Sequence, residues 1–428
     1  MTPDISHGAS DATVSTKRRR SRTILLRSGW QTVNIGDVAH TPGILHLVEK
    51  YIPDSEVILW PKSIDRGVEP MLRRRFPRLR VVRDAPQWKN PNPRPDDPTV
   101  EQAINEASLW LHGSGSGVNQ IPDLERWRET GKPYGIFGAS IGVVIGIPDQ
   151  KDPVISESLH KLLDGASFIF TRETRSLKAL RDTGVRCSRM DFAPDATFAL
   201  DLHDEPAATT LLRQANLEPG KFLCAIPRLR MTPYWEIAPN PATSPEEIAK
   251  KRAVNEKHVD SDHAKMREAI IVWVRETGQR VLLCPEMTYQ VSLFKPYLFD
   301  PLPADVKPHV FSMDRYWDLD EAASVYRQAR AVISMECHSP IIANANGRPG
   351  MYLRQAEDTW KGQMYPDLGL GEWKLDIQQA SGSEITAHLL DIHKNYDGAL
   401  ARAKKASANA AERHAKAMAV VNSILTAT

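Results

Sequence analysis

The chain has 428 residues, 41% of them apolar and 25% charged, with a formal net charge of +2. That size allows two or three domains with sizeable cores, and the composition is that of an ordinary globular protein. The near-neutral balance offers no electrostatic case for a nucleic acid partner, and no apolar run approaches the roughly 18 residues of a membrane span.

Residues 1–22 read as a polar, disordered tail that ends in the basic run Lys17-Arg18-Arg19-Arg20-Ser21-Arg22. The apolar piece that follows, Thr23 to Leu26, is too short for a secretory signal, so the chain is expected to be cytoplasmic. The basic run is expected to be solvated, with contact to nucleic acid or to an anionic membrane at its inner face as the alternatives. A strand is predicted over Thr23 to Arg27, followed by a small-residue loop and an apolar helix around Ile44, Leu45, Leu47 and Val48. Loops of this kind can turn backbone N–H groups toward an anion or a sugar. Gly36 permits close approach, while Asn34 and Asp37 can bond hydroxyls. The loop lacks the glycine spacing of a nucleotide-phosphate fingerprint, and an Asx turn at a helix start is the structural alternative.

Strands are predicted at 56–60 and 79–82, with Arg73-Arg74-Arg75 between them as a solvated helical face. A proline-rich loop spans Pro86 to Pro98. Ser108 to His112 is a buried strand opening into Gly113-Ser114-Gly115-Ser116-Gly117, which can lay backbone against a ligand. Further strands at 134–137, 167–171 and 189–192 alternate with helices at 123–130 and 174–183, which predicts a parallel, doubly wound sheet.

Residues 201–220 turn polar and end in Glu218-Pro219-Gly220, predicting a linker between an N-terminal domain of 23–200 and a C-terminal domain of 221–380. The strand Phe222 to Ile226 runs out into Arg228 and Arg230. A loop, lid or insertion is expected over 232–256, then an amphipathic helix over 260–277. Strands follow at 281–284, ending at Pro285-Glu286, and at 310–313, then a helix over 320–329. Ala331 to Ser334 is a buried strand that breaks into Met335-Glu336-Cys337-His338, with Ser339-Pro340 as cap and first residue of the next helix. Glu336 and His338 thus stand at the carboxyl end of a strand, where open α/β sheets bind ligands; a helix-capping His is the alternative. Residues 381–428 read as a helical segment, kinked or divided near Gly398. Four scattered cysteines show no metal spacing and no pairing pattern, and Cys224 and Cys284 read as core.

In this order, Asn34-Ile35-Gly36-Asp37, Leu111-His112-Gly113-Ser114-Gly115, Gly138 to Gly142, Arg172-Glu173 with Ser176, Pro194-Asp195, and Ile333 to His338 resemble the polysaccharide pyruvyl transferase family. The resemblance implies an α/β fold of two Rossmann-like domains facing across a cleft, similar to the GT-B glycosyltransferase arrangement. It implies transfer of a pyruvyl group from phosphoenolpyruvate to two hydroxyls of a sugar or lipid-linked oligosaccharide in a cell-surface or exopolysaccharide precursor, without a cofactor or metal. One departure stands out: the family usually has Arg two residues before the His, and this chain has Glu336. The implied chemistry needs an anion clamp, for which Arg228, Arg230 and Lys361 are candidates. It also needs a proton donor, His338, and a base, Glu336 or Asp37. The acceptor is expected against Asn34, Gly36, Gly113 and Ser114. A nucleotide-sugar glycosyltransferase and an inactive sugar-binding homologue are the competing readings, both prompted by Glu336.

Overall fold

The computed structural model describes residues 22–86 and 88–427, so the N-terminal tail and its basic run, save Arg22, lie outside the described residues. Two parallel sheets organise the chain. The first is built from β1 (Thr23–Ser28), β2 (Glu56–Pro61), β3 (Arg80–Val81), β4 (Leu109–His112), β5 (Tyr134–Ser140), β6 (Phe168–Thr171) and β7 (Met190–Phe192), in the order β7-β6-β5-β4-β1-β2-β3. The second holds β8 (Phe222–Ile226), β9 (Arg280–Leu283), β10 (Val310–Ser312), β11 (Ala331–Ser334), β12 (Gly350–Arg354) and β13 (Lys374–Asp376), in the order β10-β9-β8-β11-β12-β13. Central strands such as β1, β8 and β11 are buried along their whole length, which is why their middles read as apolar runs rather than alternating ones, with buried Arg27 and Ser28 closing β1.

This order places the candidate residues. Strand order reverses between β1 and β4 in the first sheet and between β8 and β11 in the second, and crevices open beyond the carboxyl ends at such points. The loops after those four strands and the first turns of the helices that follow carry Asn34 and Asp37, Gly113 and Ser114, Arg228 and Arg230, and Glu336 and His338.

Helix α1 (Ile35–Tyr51) starts where the Asn34 side chain accepts from the Gly36 and Asp37 amides at 2.7 and 3.3 Å. Gly43 lets it press on the turn after β7: a Cβ there would fall 2.1 Å from the Ala196 carbonyl oxygen. The two sheets meet through backbone bonds, Ile35 N–H to the Glu286 carbonyl at 2.9 Å and Thr288 N–H to the Val33 carbonyl at 3.0 Å.

Four local expectations change. Helix α2 (Pro245–Thr277) takes up half of the stretch read as a loop over 232–256. Ser244 caps it, Pro245 opens it, and Glu246–Lys250 and Glu247–Lys251 pairs line its first turns. Helix α3 (His338–Ala345) begins one residue before Ser339, whose amide and hydroxyl both donate to Glu286 at 2.6 and 2.7 Å; the acceptor comes from beyond the end of β9, two strands away, so Ser339 caps nothing. Arg73 is buried between Glu69 and Asp97 rather than solvated. The region 201–220 contains a helix, Glu205–Gln214, tied to the second sheet's helix at 319–328 by Asp204 N–H bonds to the Ser324 hydroxyl and the Asp320 carbonyl.

The C-terminal segment is two helices, α4 (Gly382–Lys394) and α5 (Tyr396–Ala427), broken at Asn395 rather than at Gly398. α5 spans both halves: Ser407 donates to the Asn344 carbonyl at 2.8 Å, and His414 donates to the Pro194 carbonyl at 2.9 Å. Cys224 and Cys284 are buried in the core. Among the described residues no helix is long and apolar enough to cross a membrane.

Candidate active site

The amino ends of α1 and α3 converge between the two sheets. Gly36 allows this, because a Cβ at that position would lie 2.5 Å from His338 Cβ. His338 is 3% exposed and sits between two carboxylates, with Nε2 at 3.6 Å from Asp195 Oδ2 and Nδ1 at 3.5 Å from Glu286 Oε1. Behind it, His40 Nε2 is 3.4 Å from His338 Nε2 and 3.1 Å from Asp195 Oδ2. Burial alone would lower the His338 pKa, but Asp195 and Glu286 outweigh it and raise the group to about 9. Burial likewise opposes charge on Asp195, yet the two imidazoles hold its carboxyl well below the usual range. Arg172 adds a bond to Asp195 at 3.2 Å. The ring of His338 is therefore an imidazolium at neutral pH.

On the second sheet's side lies a cluster of cations and acids. Arg228 pairs with Asp358 at 2.5 Å and stands 3.2 Å from Glu336, and Lys361 is 3.4 Å from Asp358. Gln290 donates to Glu336 at 2.9 Å. Burial raises the Glu336 carboxyl to about 7 despite the opposing charge of Arg228. Asp358 moves the other way: burial opposes its charge, but Arg228 and Lys361 lower it to about 2.

The family profile for polysaccharide pyruvyl transferase matches residues 34–355, an interval that begins at Asn34 and takes in His40, Asp195, Glu286, Glu336 and His338. The chain belongs to the polysaccharide pyruvyl transferase family. It is by that family a transferase. No curated protein sequence matches it significantly. Solved structures show the same fold at low identity. A UDP-N-acetylglucosamine 2-epimerase from Listeria monocytogenes, described as putative, is 10% identical with a TM-score of 0.53, over 90% of this chain and 91% of that one. The Anabaena protein HepE in complex with UDP and glucose is 11% identical with a TM-score of 0.52, over 94% and 99%. These likenesses establish the two-domain GT-B-type α/β architecture.

In this pyruvyl transferase family member the fold brings Asn34, Gly36, Asp37 and His338 to one junction, with Glu336, Arg228 and Lys361 gathered behind Cys337. Ser114 has a supporting position: it is fully buried, and its hydroxyl accepts from the Ala196 amide at 3.0 Å, fixing the turn that carries Asp195. Gly113 packs on Ser28 at the end of β1. Arg230 is matched within its own domain, by two bonds to Asp262 at 2.8 and 3.0 Å and by Glu357 at 3.5 Å. Four neighbours of the site were not singled out as site residues: His40, Asp195, Glu286 and Asp358. His40 lies three residues after Asp37 and so shares its helix face, which was a readable signal. Asp195 and Glu286 each follow a proline at a strand end, whereas Asp358 had no local signal.

The Gly36 contact is testable. Alanine would favour the helix locally by up to ~1 kcal/mol, but it must displace the His338 side chain, at ~1–3 kcal/mol. Gly36→Ala is therefore expected to lower the denaturant midpoint. A raised midpoint would mean that α1 and α3 are not in contact there.

Proposed function

We propose that the chain transfers a pyruvyl group from phosphoenolpyruvate to two hydroxyls of a sugar in a cell-surface or exopolysaccharide precursor, free or lipid-linked, forming a cyclic ketal. The reading is carried by a buried imidazolium, His338, held between Asp195 and Glu286 in a chain of this family. His338 delivers a proton to the donor's methylene carbon, which becomes a methyl group, and C2 becomes electrophilic. One sugar hydroxyl adds to C2 as Asp37 takes its proton. The phosphate then leaves with the electron pair of the C2–O bond and the second hydroxyl adds to C2, its proton passing to the departing phosphate, which completes the ketal. Asp37 suits the base because it is half-buried on the first sheet's side with the neutral Gln31 as its hydrogen-bond donor, whereas Glu336 is held by the charged Arg228 as well as by Gln290. Arg228 and Lys361 face the donor's anionic groups. The work takes place in the cytoplasm, with contact at the inner membrane face where the acceptor is lipid-linked.

One observation favours a second reading. Glu336 stands where the family usually has a cation and neutralises Arg228 from within, which weakens the case for a donor as anionic as phosphoenolpyruvate. A nucleotide-sugar would then be the donor. Incubation with phosphoenolpyruvate and a panel of free and lipid-linked sugars, followed by mass spectrometry and phosphate release, decides between them. The expected result is a ketal adduct and stoichiometric phosphate. Thermal stabilisation by a nucleotide-sugar but not by phosphoenolpyruvate, with no adduct, would replace this reading by the second.

A further inference from the structure

The His40–His338 pair is more than a proton-holding arrangement. Both imidazoles are buried, and their Nε2 atoms face each other at 3.4 Å. Nitrogens bound to one tetrahedral ion at about 2.0–2.1 Å stand ~3.3 Å apart. Asp37 adds a carboxylate oxygen, and the three ligand atoms of Asp37, His40 and His338 all lie within 4.8 Å of one another. Asp37 is half-exposed while the two imidazoles are buried, so an ion would enter past the carboxylate.

We propose that Asp37, His40 and His338 form a binding site for a divalent first-row transition metal ion such as Zn2+. Two further features fit. His338 turns its other ring nitrogen to Glu286 at 3.5 Å, the carboxylate–histidine arrangement that orients metal-bound imidazoles. Asp195 and Glu286 flank the imidazoles at 3.1–3.6 Å and Asp37 stands beside them, so three carboxylates surround the pair, a setting that suits a dication. Asp195 Oδ2, at 3.1 and 3.6 Å from the two Nε2 atoms and bonded to Arg172, adjoins the same position and adds negative charge to it. A bound ion takes the lone pair of His338 Nε2, so the ring is no longer the imidazolium that the proposed transfer needs. The site is thus inhibitory toward that chemistry, a consequence that rests on the reading above, whereas metal binding itself does not.

The test is spectroscopic. Chelator-treated, tag-free full-length protein is titrated with Co2+, and visible d–d absorption of four- or five-coordinate Co2+ is recorded, with Zn2+ as competitor. A saturable band at one equivalent, displaced by Zn2+, is expected in the wild type. The affinity should drop by at least about 10-fold in both His40→Ala and Asp37→Asn, with folding checked by melting. X-ray absorption of the wild-type Zn2+ complex should show two imidazole ligands, so the proposal stands or falls even if a variant does not fold. No band in the wild type, or unchanged affinity in folded His40→Ala, overturns it. A protein that binds Co2+ without pyruvyl transfer keeps this inference and loses the transferase reading; transfer without a metal band does the reverse.

Discussion

His338→Ala is expected to lower pyruvyl transfer by about 10²–10⁴-fold, chiefly in kcat, with the KM for phosphoenolpyruvate changing little. The reasoning starts from burial. A histidine that is 3% exposed would lose its proton in an apolar setting, but Asp195 and Glu286 hold it as a cation with a pKa near 9. Removing the ring takes away the proton source and leaves Arg228 and Lys361, the groups assigned to the donor's charge, in place. The same pKa fixes the pH profile. Because the folded value lies above the ordinary one of about 6.5, the protonated form dominates below pH 9, and activity that depends on it falls as pH rises through 9. The contribution to stability has the same sign: fully present below about 6.5 and lost on the way through 9. Steady-state kinetics in chelated buffer, with melting as the folding check, measure this. Near-normal kcat in folded His338→Ala rejects the proton-donor role.

Much of the fold was readable because parallel strands buried on both faces leave compact apolar runs, as Ile24 to Leu26 of β1, β8 and Ala331 to Ile333 of β11 do. The carboxyl ends of those strands then gave Asp37, Arg228, Glu336 and His338 from local pattern alone. What local pattern could not give was pairing across the chain. Arg230 and Arg228 look alike in sequence, yet Asp262, supplied by a distant helix, neutralises the first with two bonds, while the second faces Glu336 and Asp358. Ser114 sits in a glycine-rich loop that suggests ligand contact; its hydroxyl is used to hold the Asp195 turn. His40 shares a helix face with Asp37, but its partner His338 comes from α3, nearly 300 residues further along the chain. Helix boundaries failed where a cap came from elsewhere, as at Ser339, whose partner Glu286 belongs to another strand's end. Secondary structure is thus written in nearest neighbours, and the site in contacts between residues hundreds of positions apart.

The Glu336–Arg228 pair is expected to make donor binding pH-dependent, and Glu336→Gln to abolish that dependence. Burial raises the Glu336 carboxyl to about 7, so below that pH it is neutral, and Arg228 and Lys361 face Asp358 alone, with one positive charge left for an anionic donor. Above it the ionised Glu336 competes for Arg228 at 3.2 Å. The KM for phosphoenolpyruvate in the wild type should therefore rise through pH 7. Glu336→Gln should lower it by about 10-fold at pH 8 and barely alter it at pH 6, a charged hydrogen bond being worth roughly 1.5–3 kcal/mol. Stability gives an independent reading with a defined sign. A carboxyl raised on folding costs nothing below its unfolded value of about 4.3, and the cost grows as pH rises toward 7. Glu336→Gln should then gain more in denaturant midpoint over the wild type at pH 8 than at pH 5. Arg228→Ala is the complement: it leaves Asp358 and Glu336 buried without their main counter-charge and should cost ~3–5 kcal/mol as well as weaken donor binding. A KM that is flat across pH 7, together with unaltered phosphoenolpyruvate binding in Arg228→Ala, would place the donor elsewhere. That outcome would shift the weight to a nucleotide-sugar donor, whose diphosphate does not need this cluster free of Glu336.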